Sequence, residues 1–374
     1  MKINSKMIPA AMLILLAASC NNKDDRMLTV INEDGSCTRE YTFHSTRQLL
    51  AIPLEEDYDS IVDKSWERSW SVGEHEQRHL VPLKDAEWDS IQATAPNDTL
   101  DNMLMVHVKK EYESVNDMSA QLYAPENSHL VKVEGIKAKS TLEKSFKWFY
   151  TDYTFSETFV YDGAPVFPVP LIRFLSADTA AYWFTGQPDL TRNLSGAELK
   201  EMLDDIDAKV CQWSNANYFF ETCNMIIAHY DSIKNPPVSK ERFISMRDSL
   251  VMLPCVLNAN DGFVWKNGVN VLDSLFHSES YSSFLKSCEE EPEGYAQLLS
   301  FSTTYDLKMP GTIVDAGMGE YDGEVIHYRL SGERLIPGSF TITATSRVTN
   351  IWAFIVTLLI IVLAIGSFLY QRKR

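Results

Sequence analysis

The sequence is short of positive charge: 34 Lys and Arg stand against 51 Asp and Glu, giving a formal net charge of −17 at pH 7. No basic patch or Arg-rich stripe interrupts this balance. Because nucleic acids and anionic lipid surfaces are bound largely through clustered Lys and Arg, we expect neither a nucleic-acid partner nor charge-driven binding to lipid. The acidity is typical of a well-solvated surface.

Cysteine is scarce too, with six in 374 residues. No CxxC pair occurs, so neither a thioredoxin-like nor a zinc-ribbon site is indicated. Outside the cytoplasm, an odd number besides Cys20 would leave at least one thiol unpaired. Cys211 and Cys223 fall on one predicted helix, about 18 Å apart along its axis, too far for a disulfide unless the helix breaks at Ser214–Asn217. The cysteines other than Cys20 are Cys37, Cys211, Cys223, Cys255 and Cys288.

Common catalytic signatures are absent as well. The sequence contains no GxSxG, no P-loop and no GxGxxG, so it does not indicate an α/β-hydrolase, a P-loop nucleotidase or a dinucleotide-binding enzyme. Two acidic pairs, Asp204-Asp205 and Glu289-Glu290, are interpreted as solvated helix faces and ends, not as a general acid and base. We therefore predict no catalytic residue, no cofactor and no metal.

One short motif carries possible chemistry: residues 75–79 read HEQRH, which matches HExxH. On a helix, His75 and His79 would share a face and could bind zinc, with Glu76 activating a water. The charged Arg78 inside the motif and Pro82 soon after it favour a solvated turn or edge strand instead. A membrane-tethered zinc hydrolase using these three residues remains the alternative. Candidate third ligands are Asp85, Glu111 and Glu113.

A long apolar run lies near the C-terminus. The twenty residues Ile351–Tyr370 contain no charge, and at about 1.5 Å per residue they span roughly 30 Å, the thickness of a bilayer's hydrocarbon core. Trp352 and Tyr370 stand near the two ends, where aromatic rings favour the headgroup layer. The basic tail 371–374 predicts a cytoplasmic C-terminus. The sequence therefore predicts a single-pass transmembrane helix.

The N-terminus has the pattern of a secretory signal. Lys2 and Lys6 precede the apolar run Met7–Leu16, which is too short to span a bilayer, and small residues follow. The segment ending Ala17-Ala18-Ser19-Cys20 resembles a bacterial lipobox, which implies a lipidated Cys20. The alternative is an ordinary signal peptide with a coincidental cysteine.

Lys23-Asp24-Asp25, just after that cysteine, resembles the surface-export signal of Bacteroidota lipoproteins and would imply the outer membrane. The C-terminal helix favours the inner membrane, because an apolar helix with a basic cytoplasmic stop belongs there. A spanning helix holds more firmly than one acyl chain. We therefore predict a body in the periplasm with both anchors in the inner membrane, and keep an outer-membrane lipoprotein as the alternative.

The remaining chain shows β-type patterns at both ends and helical patterns between them. The predicted strands and hairpins are Leu28–Phe43 around the turn Asn32–Gly35, Met103–Tyr112, Leu142–Tyr161, Met309–Ala316, Asp322–Tyr328 and Gly338–Ala344. The predicted helices are Ser114–Leu122, Ser176–Trp183, Ser195 to about Tyr230, Ser239–Met252 and shorter ones within Val271–Cys288. In the aromatic-rich run Leu142–Tyr161, core packing is favoured over a ligand-binding ladder.

These patterns predict an α+β fold, in which the N- and C-terminal strands share one sheet and the helices form an insertion. The predicted divisions are a signal peptide at 1–19, a β-rich periplasmic part at 20–170, a helical insertion at 171–297, a β segment completing the first sheet at 298–349, the membrane helix at 351–370 and a cytoplasmic tail at 371–374.

The terminal segments resemble the LppM-type bacterial lipoprotein domain. The shared features are a first hairpin at Asp34-Gly35-Ser36-Cys37 after a lipidated cysteine, a PGTIV…G strand at Pro310–Gly317, a DGEVIHY strand at Asp322–Tyr328, and a last strand running into a membrane helix. The resemblance covers about a third of the chain. It implies a β-rich extracytoplasmic domain associated with membranes, without catalytic residues. We therefore expect a non-enzymatic envelope protein that binds a lipid or another envelope protein.

Overall fold

The computed structural model describes residues 25–52, 65–73, 77–93, 103–118, 120–126, 129–162, 167–233, 235–258, 271–276 and 301–373. The described residues fall into two compact units. The β unit takes its residues from the ranges 25–161, 302–330 and 339–373. The helical unit takes its residues from the ranges 162–301 and 331–338.

The strands are β1 (Arg26–Ile31), β2 (Cys37–His44), β3 (Glu67–Val72), β4 (His79–Leu80), β5 (Leu104–Tyr112), β6 (Gln121–Glu126), β7 (His129–Phe146), β8 (Tyr150–Tyr161), β9 (Ser302–Lys308), β10 (Thr312–Asp315), β11 (Glu320–Tyr321), β12 (Ile326–Ser331) and β13 (Ser339–Thr349). The α-helices are α1 (Arg47–Leu50), α2 (Asp85–Gln92), α3 (Ala177–Thr185), α4 (Gly196–Ala228), α5 (Lys240–Val251), α6 (Pro254–Leu257), α7 (271–276) and α8 (Ile351–Arg372). Single 3₁₀ turns occur at Val115–Asp117, Leu171–Arg173, Tyr230–Ser232 and Gly332–Leu335.

The first sheet joins the two ends of the chain. Within the described residues its strand order is β11-β12-β9-β1-β2-β5-β3-β4. β1 pairs antiparallel with β2 around a turn in which Gly35 has φ +100°, and Asp34 accepts hydrogen bonds from the backbone N and hydroxyl of Ser36. On its other side β1 pairs in parallel with β9, so N- and C-terminal segments lie side by side.

The second sheet has the order β10-β13-β8-β7-β6. Its centre is a continuous antiparallel ladder in which β13 pairs with β8 from Ser339 opposite Val160 to Thr349 opposite Tyr150. β7 and β8 form a long hairpin on the other side of that ladder. The aromatic and Thr-rich composition of β8 suits this position, since such side chains pack well on a pleated surface.

The two sheets of the β unit pack face to face, because alternate residues of their strands bury one face of each sheet. Phe159 of β8 meets Tyr305 of β9 edge to face, with ring centroids 6.3 Å apart. The buried side chains between the sheets include Met27, Ile31, Tyr41, Phe43 and Leu307 from the first sheet and Phe155, Phe159, Phe340, Ile342 and Ala344 from the second.

An ion pair lies in the middle of this apolar layer. Arg39 of β2 and Glu157 of β8 are 1% and 0% exposed, and the Nη2 of Arg39 lies 2.7 Å and 2.9 Å from the two carboxylate oxygens of Glu157. Tyr305 donates its hydroxyl to the same carboxylate at 2.6 Å, and Thr29 accepts from Arg39. Burial would lower the pKa of Arg39, but the charge of Glu157 keeps it well above its ordinary value. Arg39 therefore stays charged inside the fold.

Two glycines let β10 and the turn after it lie against β13. Gly311 has φ +77° and Gly317 has φ +59°. A Cβ at Gly311 would collide with the backbone O of Arg347, and one at Gly317 with the backbone O of Thr343. Only glycine fits both the conformation and the space at these positions.

The helical unit is organised around α4, which begins at a capping box formed by Ser195 and Glu198. Its second half packs with α5, α6 and α7 around a buried cluster that includes Phe219, Phe243 and Phe276. Its first half packs against α3 around Leu175, Ala180 and Ile206.

The polar stretch in the middle of α4 does not interrupt the helix. Asn217 exchanges hydrogen bonds with the backbone N and O of Val169, and Asn215 donates to the backbone O of Leu257. These side chains hold neighbouring segments on the helix. Cys211 and Cys223 consequently stay on one unbroken helix and do not bridge.

The α+β class is confirmed, as are the first hairpin, the strand or hairpin predicted at Leu142–Tyr161, and the helices that begin after Ser176, Ser195 and Ser239. Two expectations are corrected. The N- and C-terminal strands do share the first sheet, through β9, β11 and β12, but β10 and β13 join a second sheet. The predicted helix Ser114–Leu122 is a single 3₁₀ turn after Ser114, followed by strand β6, whose Leu122 is buried.

Replacing Arg39 by Met should destabilise the protein by about 3–5 kcal/mol, because it leaves the Glu157 carboxylate buried without its counter-charge. The double variant Arg39→Met/Glu157→Leu should lose clearly less, since no uncompensated charge remains. Urea unfolding of the full chain in detergent, followed by tryptophan fluorescence, measures both. A double variant less stable than the single one would contradict this account.

Gly317→Ala should cost about 1–2 kcal/mol for the left-handed backbone and about 1–3 kcal/mol more for the collision with Thr343. Gly73→Ala is the closer control, because Gly73 also has a positive φ, +78°, while the nearest atom to its Cβ position, in the side chain of Met103, is 4.0 Å away. It should cost only the backbone strain. Equal losses of urea-unfolding stability in the two variants would show that the close approach of β13 is unimportant.

Candidate functional site

A polar network centred on His107 joins three strands on the outer face of the first sheet. Thr42 of β2 lies opposite His107 of β5 in the ladder, and Ser69 of β3 lies opposite it on the other side. The Nδ1 of His107 is 3.1 Å from the Thr42 hydroxyl, and its Nε2 is 2.8 Å from the hydroxyl of Ser71. Ser71 donates in turn to the backbone O of Gly73 at 2.7 Å. One imidazole therefore ties β2, β5 and β3 together.

Glu40 completes a Ser–His–carboxylate order, since its Oε1 lies 3.4 Å from His107 Nδ1. Both Ser71 and His107 are fully buried, however, so no substrate reaches the serine. Arg78 binds both carboxylate oxygens of Glu40, at 2.7 Å and 2.9 Å. Burial favours the neutral carboxyl, but hydrogen bonds from His107 and Arg78 hold the pKa of Glu40 at about 2. The geometry suits an interstrand tie, not an acyl-transfer site.

The HExxH motif is described only in its second half. His75 and Glu76 lie outside the described residues. Gln77 and Arg78 are not helical, and His79 begins β4, the edge strand of the first sheet. The imidazole of His79 stacks on the buried ring of Trp70, with centroids 4.6 Å apart. The described half of the motif thus lacks the helical geometry that zinc binding by two histidines four residues apart requires.

The residues considered as a third zinc ligand have other surroundings. Asp85 pairs with Arg47 at 3.0 Å, Glu111 pairs with Lys109 at 3.1 Å, and Glu113 is exposed. Within the part of the chain that the structure describes, no group of three His, Cys, Asp or Glu side chains is arranged to hold a metal ion.

His327 of β12 lies between two carboxylates. Its Nδ1 is 2.7 Å from Asp306 of β9, and its Nε2 is 3.1 Å from Asp322. Burial would lower the pKa of His327, but the hydrogen bonds and charges of the two aspartates raise it above its ordinary value. Arg26 also lies near Asp306, at 3.8 Å. The imidazolium is thereby favoured at the edge of the sheet.

The two buried cysteines among the described residues carry no reactive signature. Burial raises the pKa of Cys37 to about 11 and that of Cys223 to about 12, the reverse of what a nucleophilic thiolate needs. Cys211 and Cys255 are exposed, and no disulfide forms among these four described cysteines. Cys288 lies outside the described residues, as does the whole segment 1–24 with the predicted lipidation site Cys20.

The most distinctive feature is the junction between β13 and α8. A single residue, Asn350, separates the last strand from the helix. Its backbone N donates to the O of Phe149 at 2.9 Å, and its side-chain O accepts from Thr151. Of the described helices, α8 is the one long and apolar enough to cross a membrane, and only 6% of its most apolar window is buried. Sequence reasoning predicted the helix but missed its attachment to the β7–β8 hairpin.

His327 should make stability depend on pH. Because folding raises its pKa, its contribution to the free energy of unfolding is fully present below the unfolded-state value of about 6.5. The contribution is lost as pH rises through the higher folded-state pKa. The stability difference between the wild type and His327→Gln should therefore be largest on the acid side of about pH 6.5 and shrink on the alkaline side. Urea unfolding on both sides of this pH measures it. A difference independent of pH would contradict the assignment. The stability difference between the wild type and Asp322→Asn should depend on pH in the same direction but more weakly.

Compared with protein-family models, with curated proteins and with solved structures, the chain gives no match. Its function is therefore inferred from its own sequence and geometry.

Proposed function

We propose that this chain is a membrane-anchored envelope lipoprotein of a bacterium, with a periplasmic body that binds a lipid or an envelope protein and performs no catalysis. One observation carries the proposal: the central ladder of the second sheet runs through Asn350 directly into the exposed apolar helix α8. A soluble protein would not leave so much contiguous apolar surface uncovered.

The orientation is argued from charge. Arg372 and Lys373 follow the apolar segment, and the positive-inside rule then puts the C-terminus in the cytoplasm and the body in the periplasm. The lipobox-like segment ending at Cys20 adds a second, N-terminal anchor at the same membrane. The inner membrane is favoured over the outer because a helix of this kind is the stronger of the two signals.

The described polar groups considered above pair with one another inside the fold. This supports a role in binding without catalysis. His107, Glu40 and Arg78 bind one another between strands, and Arg39 and Glu157 pair between the sheets. The resemblance to the LppM-type domain supports the same reading, because its glycine-containing strand corresponds to residues that the packing of β10 on β13 requires. A lipid-associated, non-catalytic module is what that resemblance implies.

The two anchors should be separable. Deleting residues 351–374 should leave the protein bound to membranes through its acyl chain, and replacing residues 1–20 by an ordinary secretory leader should leave it bound through α8. Only the chain with both changes should appear in the soluble periplasmic fraction. Cell fractionation at neutral pH measures this distribution, and alkaline extraction then separates the two anchors, because a spanning helix resists extraction whereas an acyl anchor binds reversibly.

Metabolic labelling with a fatty-acid analogue provides the control. Label should be lost in Cys20→Ala and retained in Cys255→Ala, which alters an exposed cysteine of the body. Complete release on deletion of α8 alone would refute the lipid anchor. Retention of the doubly changed chain would refute the two-anchor account, and recovery of the wild type in the outer-membrane fraction would favour the alternative location.

A further inference from the structure

The turn of the β7–β8 hairpin carries three exposed aromatic side chains: Phe146, Trp148 and Phe149. They lie beside the first turns of α8. Phe146 stacks on Trp352 with centroids 6.3 Å apart, and Trp148 meets the same ring edge to face at 5.4 Å. Together with Phe354, which contacts Phe149 at 4.7 Å, these side chains form what we call the aromatic tip cluster. A water-exposed turn rarely gathers so much apolar surface, so the cluster calls for an apolar environment.

The backbone of this turn is prepared for such an environment. The carbonyl oxygens of Lys147, Trp148 and Phe149 accept hydrogen bonds from Asn350, the first two from its side-chain amide and the third from its backbone N. Lys147 and Tyr150 also exchange backbone hydrogen bonds with each other. A single residue therefore satisfies carbonyl groups that would be costly to leave without donors in lipid.

A further bond reaches deeper along the helix. The indole N–H of Trp148 donates to the hydroxyl of Thr357 at 2.8 Å. Thr357 lies six residues after Ile351, which corresponds to about 9 Å along the helix axis. If the apolar run begins at the lipid surface, Trp148 reaches below the headgroups, where both its N–H and the hydroxyl need a partner. The indole N–H finds its acceptor in the hydroxyl oxygen, and that oxygen finds its donor in the indole.

Charged groups lie on the side of the cluster toward the body. Arg347 of β13 pairs with Asp152 of β8 at 2.7 Å, and its guanidinium covers the ring of Tyr150 at 3.8 Å. Lys147 is exposed at the turn itself and can extend its ammonium group to the headgroups. From the body outward, an ion pair is followed by Tyr150 and then by the aromatic tip cluster. This is the order of polarity across a membrane interface.

We infer that the tip of the β7–β8 hairpin is itself a membrane-binding element, inserted in the periplasmic leaflet beside α8. This inference rests on the proposed anchoring, and it adds a second protein segment that contacts lipid. The second sheet then stands on the bilayer at two places, the helix and the hairpin tip, and is held against rotation about the helix axis.

Photocrosslinking in vesicles of phosphatidylethanolamine and phosphatidylglycerol tests the inference on the full chain. A photoreactive phenylalanine analogue replaces Phe146, which is 58% exposed, so folding is not at risk. The same analogue at Phe368 of α8, 64% exposed, reports membrane insertion, and at Tyr321 of β11, 42% exposed, it reports aqueous surface. Lipid adducts at Phe146 should approach those at Phe368 and exceed those at Tyr321 by at least about tenfold, as for a residue in the interface.

The outcomes separate the two proposals. Strong lipid adducts at Phe368 with only background adducts at Phe146 would overturn the hairpin inference while leaving the anchoring intact. Background adducts at both positions would refute the anchoring, and the hairpin inference with it. The unfolding midpoint of each labelled chain, compared with that of the wild type, confirms that the body is intact.

Discussion

The buried pair of Arg39 and Glu157 is the constraint on which the β unit depends. Apolar faces can slide over one another at small cost, but a charge buried between two sheets is tolerated only opposite its partner. Glu157 lies near the middle of β8 and meets Arg39 from β2, while Thr29 of β1 accepts a hydrogen bond from Arg39 and Tyr305 of β9 donates one to Glu157. Strands from both ends and the middle of the chain thus converge on one carboxylate, which fixes how the two sheets face each other.

That alignment extends to the end of the unit that carries α8. β8 carries Glu157 near its middle and Tyr150 at its start, and it pairs without interruption with β13 along eleven residue positions, Ser339 to Thr349. β13 ends at Asn350, which holds the hairpin turn and begins α8. The β unit is joined to α8 through hydrogen bonds at Asn350, without a flexible linker between them.

The sequence could predict those features whose signals are local. Ser195 and Glu198 predict the start of α4, and the charge-free run after Asn350 predicts α8. It could not predict which sheet a strand joins, because alternation identifies the buried face but not the neighbouring strand. For the same reason a single sheet was expected. The sequence nonetheless indicates the ion pair. Arg39 lies between apolar positions of β2, and Glu157 lies between Phe155 and Phe159. Each strand therefore presents one charge on its buried face. Opposite charges at such positions indicate that the two strands meet.

The HEQRH pentapeptide shows the limit of short motifs. The role of such a motif depends on residues outside it. Here the ring of Trp70 stacks on His79, and the carboxylate of Glu40 binds Arg78. Through these contacts, the described half of the motif holds the edge strand β4 to the first sheet. The same use of polar groups recurs at His107, which joins three strands from a fully buried position. Most of the large apolar side chains that the described part of the β unit leaves exposed, by contrast, lie at the hairpin turn and along α8. Chemistry that serves the fold and apolar surface that faces outward together support the proposal that the functional end of this unit lies at a lipid bilayer.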